Sequence, residues 1–209
     1  MRRVISAVAL AIGLVLACAA VADASSAPGW HVGYYNNSQL SNAQAGKSGV
    51  ASVNFTSVPN TALLVTNQKS LTGNLAGKTI TATATIAGAT GAFTYYGQPD
   101  ACNSPANVRL FFETSNSGGF DYTHFWWANP NSAVLANGTL TLTATVEPAE
   151  WSDWNGKLGT DPSASAGFAA ATANVTSVGV SFGGGCFFEN GVGTTDGSGT
   201  FTLNTFGLS

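Results

Sequence analysis

Charge is what this sequence lacks most: its 209 residues include 7 Lys or Arg and 10 Asp or Glu, together 8% of the chain, beside 2 His, 3 Cys and 1 Met. A nucleic-acid surface is excluded, because replacing the counterions of a phosphate backbone takes clustered Lys and Arg. Zinc is disfavoured, since neither His31 nor His124 begins a His-x-x-x-His or His-Glu spacing. Nucleophilic catalysis by Ser or Cys is poorly provided for as well, since His31 and His124 are the only histidines in the chain that could serve as a partner base. Against these absences stand 44% hydrophobic and 11% aromatic residues, which supply ample surface to bury and exclude a disordered chain. The solvent-facing surface must then be built from Thr, Ser, Asn and Gly.

The first 24 residues have the pattern of a secretory leader. Arg2 and Arg3 give a positive start, Val4 to Ala17 is almost wholly apolar, and Ala22-Asp23-Ala24 supplies small residues for cleavage before Ser25. The apolar run is short for a membrane span, and no stop-transfer charges follow it. Val15-Leu16-Ala17-Cys18 offers an alternative, a lipobox whose Cys18 would be acylated. The mature chain is therefore expected to be secreted, extracellular or periplasmic, in a bacterium, with a lipoprotein as the alternative. Outside the leader the only thiols are Cys102 and Cys186. In an oxidising compartment they allow a single connectivity, and closing so long a loop stabilises by about 4 kcal/mol in the chain-entropy treatment. Phe187 and Phe188 follow directly and are expected to pack on the bridge.

Period two dominates the rest. Thr79, Thr81, Thr83 and Thr85 alternate with Ile80, Ala82, Ala84 and Ile86, and Thr139, Thr141, Thr143 and Thr145 alternate with Leu140, Leu142, Ala144 and Val146, so each segment predicts a half-buried strand. Further strands are predicted at Val50 to Phe55, Ala62 to Thr66, Ala92 to Tyr96, Asn107 to Thr114, Tyr122 to Trp127, Ser177 to Phe182 and Gly199 to Leu208. In the last, Phe201 and Leu203 are out of phase with Phe206 and Leu208, which calls for a bulge near Thr205. One helix is predicted from Ala164 to Val175, after the start signal Asp161-Pro162-Ser163, and a helical turn from Pro148 to Trp154. The fold class is all-β: a two-layer antiparallel β-sandwich, a jelly roll, with one or two short helices. Its expected organisation is a signal peptide at 1–24, an aperiodic N-terminal arm at 25–48 and one sandwich domain at 49–209.

The order of pieces near the C-terminus carries a resemblance. The Trp-containing turn Glu150-Trp151-Ser152-Asp153-Trp154, the helix end Asn174-Val175-Thr176, the strand Val178-Gly179-Val180-Ser181-Phe182 and the final strand Gly199-Thr200-Phe201-Thr202-Leu203 together resemble the closing half of galactose-binding-like jelly rolls, over roughly the last 100 residues. Non-catalytic carbohydrate-binding modules are numerous in that fold, and the resemblance implies the same role here. Phe182-Gly183-Gly184-Gly185-Cys186-Phe187-Phe188 is similar to a segment of uncharacterised secreted bacterial proteins, which implies no activity.

Candidate binding residues follow from strand alternation. Arg109, Phe111 and Glu113 share one face of their strand, an aromatic flanked by opposite charges, while Tyr122, His124 and Trp126 share a face of the next. Sugars present axial hydrogens to aromatic faces and hydroxyls to charged groups, so these six, rimmed by Trp154, form the expected ligand site. The alternative is that Arg109 and Glu113 are an ion pair and the Trp pair is core. Trp151 is expected as a core plug and Trp154 as the exposed member of its turn. Glu113, Asp121, Glu147, Glu150, Asp153 and Glu189 are the carboxylates by type available to a glycosidase. Asp196-Gly197-Ser198-Gly199 reads as a hairpin turn, with structural calcium as the alternative and no other cofactor expected. The sequons at Asn36, Asn54, Asn137 and Asn174 are assigned no role. The expected function is non-catalytic recognition of carbohydrate or another cell-surface polymer by a monomer. A structural envelope or adhesion protein is the first alternative, and a glycan-cleaving enzyme the second.

Overall fold

The computed structural model describes residues 26–209 apart from 36, 47–48, 100–101, 116 and 187–188. The leader and the Phe187-Phe188 pair lie outside the described residues. In chain order the strands are β1 (Ser26–Tyr34), β2 (Asn37–Gln44), β3 (Ala51–Asn54), β4 (Thr61–Thr66), β5 (Thr79–Ala87), β6 (Phe93–Tyr95) and β7 (Asn107–Thr114). After a 3-10 turn (Tyr122–His124) come β8 (Phe125–Val134), β9 (Gly138–Thr145), β10 (Trp151–Asp153), the helix α1 (Ser165–Ala173), β11 (Val175–Gly183), β12 (Val192–Thr194) and β13 (Thr200–Leu208). Pairing runs β10-β8-β7-β11-β4-β1-β2-β3-β13-β5-β9, antiparallel at each step, with β12 and β6 branching from β4.

This path curls back on itself. Trp30 of β1 meets Phe206 of β13 edge to face at 5.5 Å, and Phe182 of β11 meets Phe201 of β13 at 4.9 Å, so the β8-to-β1 half faces the β3-to-β9 half as two layers of a sandwich. Alternation decides what lies between them. On β5 the Ile and Ala positions are buried and the Thr positions are not, leaving hydroxyls such as Thr83 and Thr205 to pair at 2.7 Å outside. Each fully buried Phe, Leu or Ile stabilises the fold by roughly 1.5 to 3 kcal/mol. The expected bulge falls where the β13–β5 register slips between Leu203 and Thr205.

Three local readings need correction. The segment expected as an arm is β1 and β2, and β1 sits between β4 and β2 with Ala27, Trp30 and Val32 in the core. Its period was hidden because Gly29, at φ 71°, and a register slip between Ser26 and His31 interrupt the alternation. Pro148 to Trp154 is a turn followed by the short strand β10 rather than a helical turn. The predicted Tyr122 strand begins three residues later, because the Asp121 carboxylate accepts from the Thr123 amide at 2.7 Å and caps a 3-10 turn instead.

Helix α1 forms close to its predicted span, burying Phe168, Ala171 and Thr172. The disulfide Cys102–Cys186 is present, with Cα atoms 5.1 Å apart, and ties the β6–β7 connection to the loop after β11. Asp196 heads the hairpin turn between β12 and β13, where hydrogen bonds from Ser198 and Thr90 hold its carboxyl well below the usual carboxylate range. No helix among the described residues is long and apolar enough to cross a membrane.

Candidate functional site

The sheet face turned away from the sandwich core carries a second, smaller apolar cluster. Residues directly opposite in antiparallel strands share a face. The register sets Phe111 against both Trp127 and Gly179, and Gly179 against Val65, so these positions line up across β8, β7, β11 and β4. Phe111, Trp127 and Val65 are buried together, flanked by the partly buried Leu63 and Phe125. The Trp127 indole lies 5.2 Å from the Phe111 ring and donates from Nε1 to Ser181 Oγ at 3.0 Å. Gly179 is required by close approach: a Cβ there would meet the Leu64 carbonyl and the Val65 Cα.

From this floor a connected series of rings runs out to solvent. Trp127 contacts Trp154 at 5.7 Å, Trp154 contacts Phe125 at 5.5 Å and Phe120 at 5.6 Å, and Phe120 contacts Tyr122 at 5.2 Å. The outer members are open, Trp154 being 42%, Tyr122 47% and Phe120 57% exposed. Local chemistry holds them out. The buried Asp153 carboxylate accepts from the Asn155 and Lys157 amides, both at 2.9 Å, closing the turn that projects Trp154, and the Trp154 amide donates to the Tyr122 carbonyl at 3.3 Å.

Next to Trp154 lies a groove of about 710 Å³. Its opposite wall is the end of β1 and the residue beyond, Tyr34 and Tyr35, with Leu63 in its floor and Glu113 and Glu189 among its lining. Tyr35 also stacks at a tilt on Tyr96, 4.6 Å away, which widens that wall. The loop after β11 places Glu189 here. Buried Asn190 clamps the loop, accepting from the Gly184 amide at 2.9 Å and donating to the Tyr96 carbonyl at 2.6 Å, while the disulfide anchors its middle.

Both carboxyls are harder to ionise than usual. Burial raises Glu113, against a hydrogen bond from Ser177 that lowers it. Burial and then the neighbouring Glu113 charge push Glu189 up to about 8. With its pKa near 8, Glu189 favours the protonated form at neutral pH, so the groove offers an acid O–H donor beside the Glu113 carboxyl and aromatic walls.

The expected site residues divide in position. Arg109, Phe111 and Glu113 do share this face, opposite Ser181, Gly179 and Ser177. Arg109 directs its Nε to Asn107 Oδ1 at 3.1 Å, and burial lowers its pKa. Phe111 is fully buried, so it supports the floor rather than facing solvent. Tyr122 and Trp154 stand at the rim, and His124 ends the 3-10 turn. Trp126 is not on this face: it pairs with Phe112, is 0% exposed, packs on Phe168 at 4.9 Å, and donates from Nε1 to the Thr123 carbonyl. The reason is the start of β8, which begins at Phe125 and puts Phe125 and Trp127 outside. Sequence reasoning missed Tyr34, Tyr35, Phe120, Phe125 and Trp127 as site residues. Trp127 was within reach of it, since whichever member of a Trp-Trp pair enters the core, alternation sends the other to the opposite face.

No family model and no curated protein matches this chain. Among solved structures it is similar to a xylan-binding module, CBM15, with a TM-score of 0.39 and 17% identity over 86% of this chain and 93% of that one. It is also similar to a mutant of Xylanase10C from Cellvibrio japonicus solved in complex with xylopentaose, with a TM-score of 0.38 and 16% identity over 86% of this chain and 28% of that one.

Proposed function

We propose that this chain binds a carbohydrate polymer outside the cell, without cleaving it, along the line from Phe120 and Tyr122 past Trp154 into the groove between Trp154 and Tyr34-Tyr35. The observation that carries this reading is the connected aromatic series, three of whose members keep more than two fifths of their surface in water. Exposing such large rings side by side is unfavourable unless a ligand covers them, and the axial C–H faces of a pyranose chain are a matching surface. Glu113 and Glu189 then supply the hydrogen bonds that fix sugar orientation. Export is supported by the leader pattern and by a disulfide that an oxidising compartment preserves. A glycan array followed by titration of the best polymer, read by quenching of Trp fluorescence, tests the proposal; a wild-type protein that binds no glycan overturns it.

A second reading, glycan cleavage, is favoured by one observation, the pairing in a groove of the protonated Glu189 with Glu113. New reducing ends released by the wild type and lost in Glu189→Gln would put cleavage in place of binding.

A further inference from the structure

We propose that two copies of this chain pair along the open edge of β9, antiparallel about Thr141. The sheet path ends in β10 on one side and β9 on the other. The β10 end is short and covered: it spans three residues, and there the Asp153 amide donates to the Lys157 carbonyl and the Gly159 amide to the Trp151 carbonyl, both at 2.9 Å. β9 is eight residues long, and its register with β5 runs from Thr79–Thr145 to Ile86–Gly138 without a slip.

Its neighbours decide which way its backbone points. Thr79 exchanges both of its backbone hydrogen bonds with Ser209, on the far side of β5, so the Thr145 N–H and C=O opposite it turn away from β5. There they are occupied: the amide donates to Glu150 Oε2 and the carbonyl accepts from Trp151 Nε1, both at 2.8 Å. By the two-residue period Thr139, Thr141 and Thr143 turn the same way, and none of their N–H or C=O groups has a partner among the described residues. The edge is plugged at one end and open from Thr139 to Thr143.

An open edge accepts another strand, and this one fits itself. Thr139-Leu140-Thr141-Leu142-Thr143 reads the same in both directions. A two-fold axis at Thr141 sets Thr139 opposite the partner's Thr143 and Thr141 opposite its own copy, so every outward-turned backbone group meets another and each such pair exchanges two hydrogen bonds. The exposed threonines continue the Thr-on-Thr rows that β5 and β9 already share, and on the inner face the partly buried Leu140 lies beside the partner's Leu142. Lysine, proline and a bulge, the usual guards of an edge, are all missing from β9. No β9 residue lines the groove beside Trp154, so the pairing holds whether or not that groove binds carbohydrate.

Five residues a side fall short of the roughly 1,200 to 2,000 Å² of a stable complex, so the dimer is expected to be weak, with a Kd between about 10 μM and 1 mM. Sedimentation equilibrium of the exported protein across that range should show reversible monomer–dimer exchange. Thr141→Pro removes an N–H that bonds nothing within the monomer and should raise Kd at least about tenfold. Thr141→Lys, which keeps the N–H but sets two like charges on the axis, should do the same, and a denaturation midpoint near wild type shows that each variant is folded. Cross-linking reads the register. Across such a pair the Cα atoms lie about 5.5 Å apart, within disulfide reach, so Thr141→Cys should give an oxidised dimer, whereas the copies of Thr143→Cys lie more than about 10 Å apart and should not. A wild type that stays monomeric to about 1 mM, a dimer unweakened in the folded Thr141 variants, or cross-linking of Thr143→Cys equal to that of Thr141→Cys overturns the inference.

Discussion

Phe111 and Trp127 stand opposite each other on β7 and β8, ring centroids 5.2 Å apart, while their sequence neighbours Phe112 and Trp126 form the same cross-strand pair through the sheet, on the side of the core. One two-stranded ladder thus serves two apolar clusters, and a single residue of register decides which tryptophan holds the sandwich together and which supports the groove.

That division makes Trp126 and Trp154 separable by experiment. Trp126 is wholly enclosed and packs on Phe112 and Phe168, so Trp126→Ala is expected to lower unfolding free energy by roughly 3 to 5 kcal/mol. Trp154 is 42% exposed at the groove edge, so Trp154→Ala should leave the denaturation midpoint close to wild type and weaken glycan binding by on the order of 2 kcal/mol. Denaturant titration and fluorescence-detected binding on both variants check the contrast; a Trp154→Ala protein that binds as wild type does would remove Trp154 from the site.

Strand alternation made most of the sandwich legible in advance. Thr79 to Ala87 and Asn107 to Thr114 form strands where period two predicted them, and even the bulge near Thr205 announced itself as a phase change. Alternation failed where glycines interrupt it, as at Gly29 and Gly33 in β1, and with that failure Tyr34 and Tyr35 dropped out of the expected site. It failed again at Tyr122, because whether Asp121 caps a turn or the strand starts early is a contest between one carboxylate and a ladder of backbone bonds. Glu189 could be named as a carboxylate by type. Its approach to Glu113 depends on the Asn190 clamp and a loop closed from more than 80 residues away, which no local pattern encodes.

The Cys102–Cys186 bridge closes across a separation of 84 residues and anchors the loop that carries Glu189. Reduction, or Cys102→Ser with Cys186→Ser, is expected to lower stability by up to about 4 kcal/mol. Glycan affinity should fall as well, and further than in Trp154→Ala, because both the loop and its carboxyl lose their anchor. Thermal unfolding with and without reductant, paired with a binding titration below the lowered midpoint, checks both effects. Unchanged affinity in the reduced, folded protein would show that the Asn190 clamp alone holds the loop.

Close approach of β11 and β4 at Gly179 gives a stability test of the floor. A Cβ there would meet the Leu64 carbonyl and Val65 backbone, neither of which is the end of a flexible side chain, so Gly179→Ala is expected to destabilise by about 1 to 3 kcal/mol. The strain lies directly opposite Phe111, so Trp127 fluorescence should shift in the folded variant. A variant as stable as wild type, with an unchanged emission spectrum, would mean that the strands separate without cost.

Glu189 sets the direction in which pH acts on stability. Its carboxyl is raised from 4.5 to about 8 in the folded chain, by burial first and by Glu113 second. Below about pH 4.5 folded and unfolded chains both hold the proton, and the residue adds no slope. Between 4.5 and 8 the unfolded chain has released a proton that the folded chain keeps, so the folded state binds more protons and stability falls as pH rises; above 8 the slope ends. Glu113, also raised by burial, acts in the same direction. Asp121, Asp161 and Asp196 are lowered by hydrogen bonds, so their opposite slopes lie on the acid side of 3.8 and do not overlap this window. Denaturant unfolding from about pH 5 to pH 8 should therefore show a declining free energy in wild type. Glu189→Gln keeps the shape of the protonated acid and cannot ionise, so it should flatten that decline and exceed wild type in stability at the upper end. A wild-type stability that climbs over this range, or a variant with the same slope, would show that Glu189 ionises freely in the folded protein.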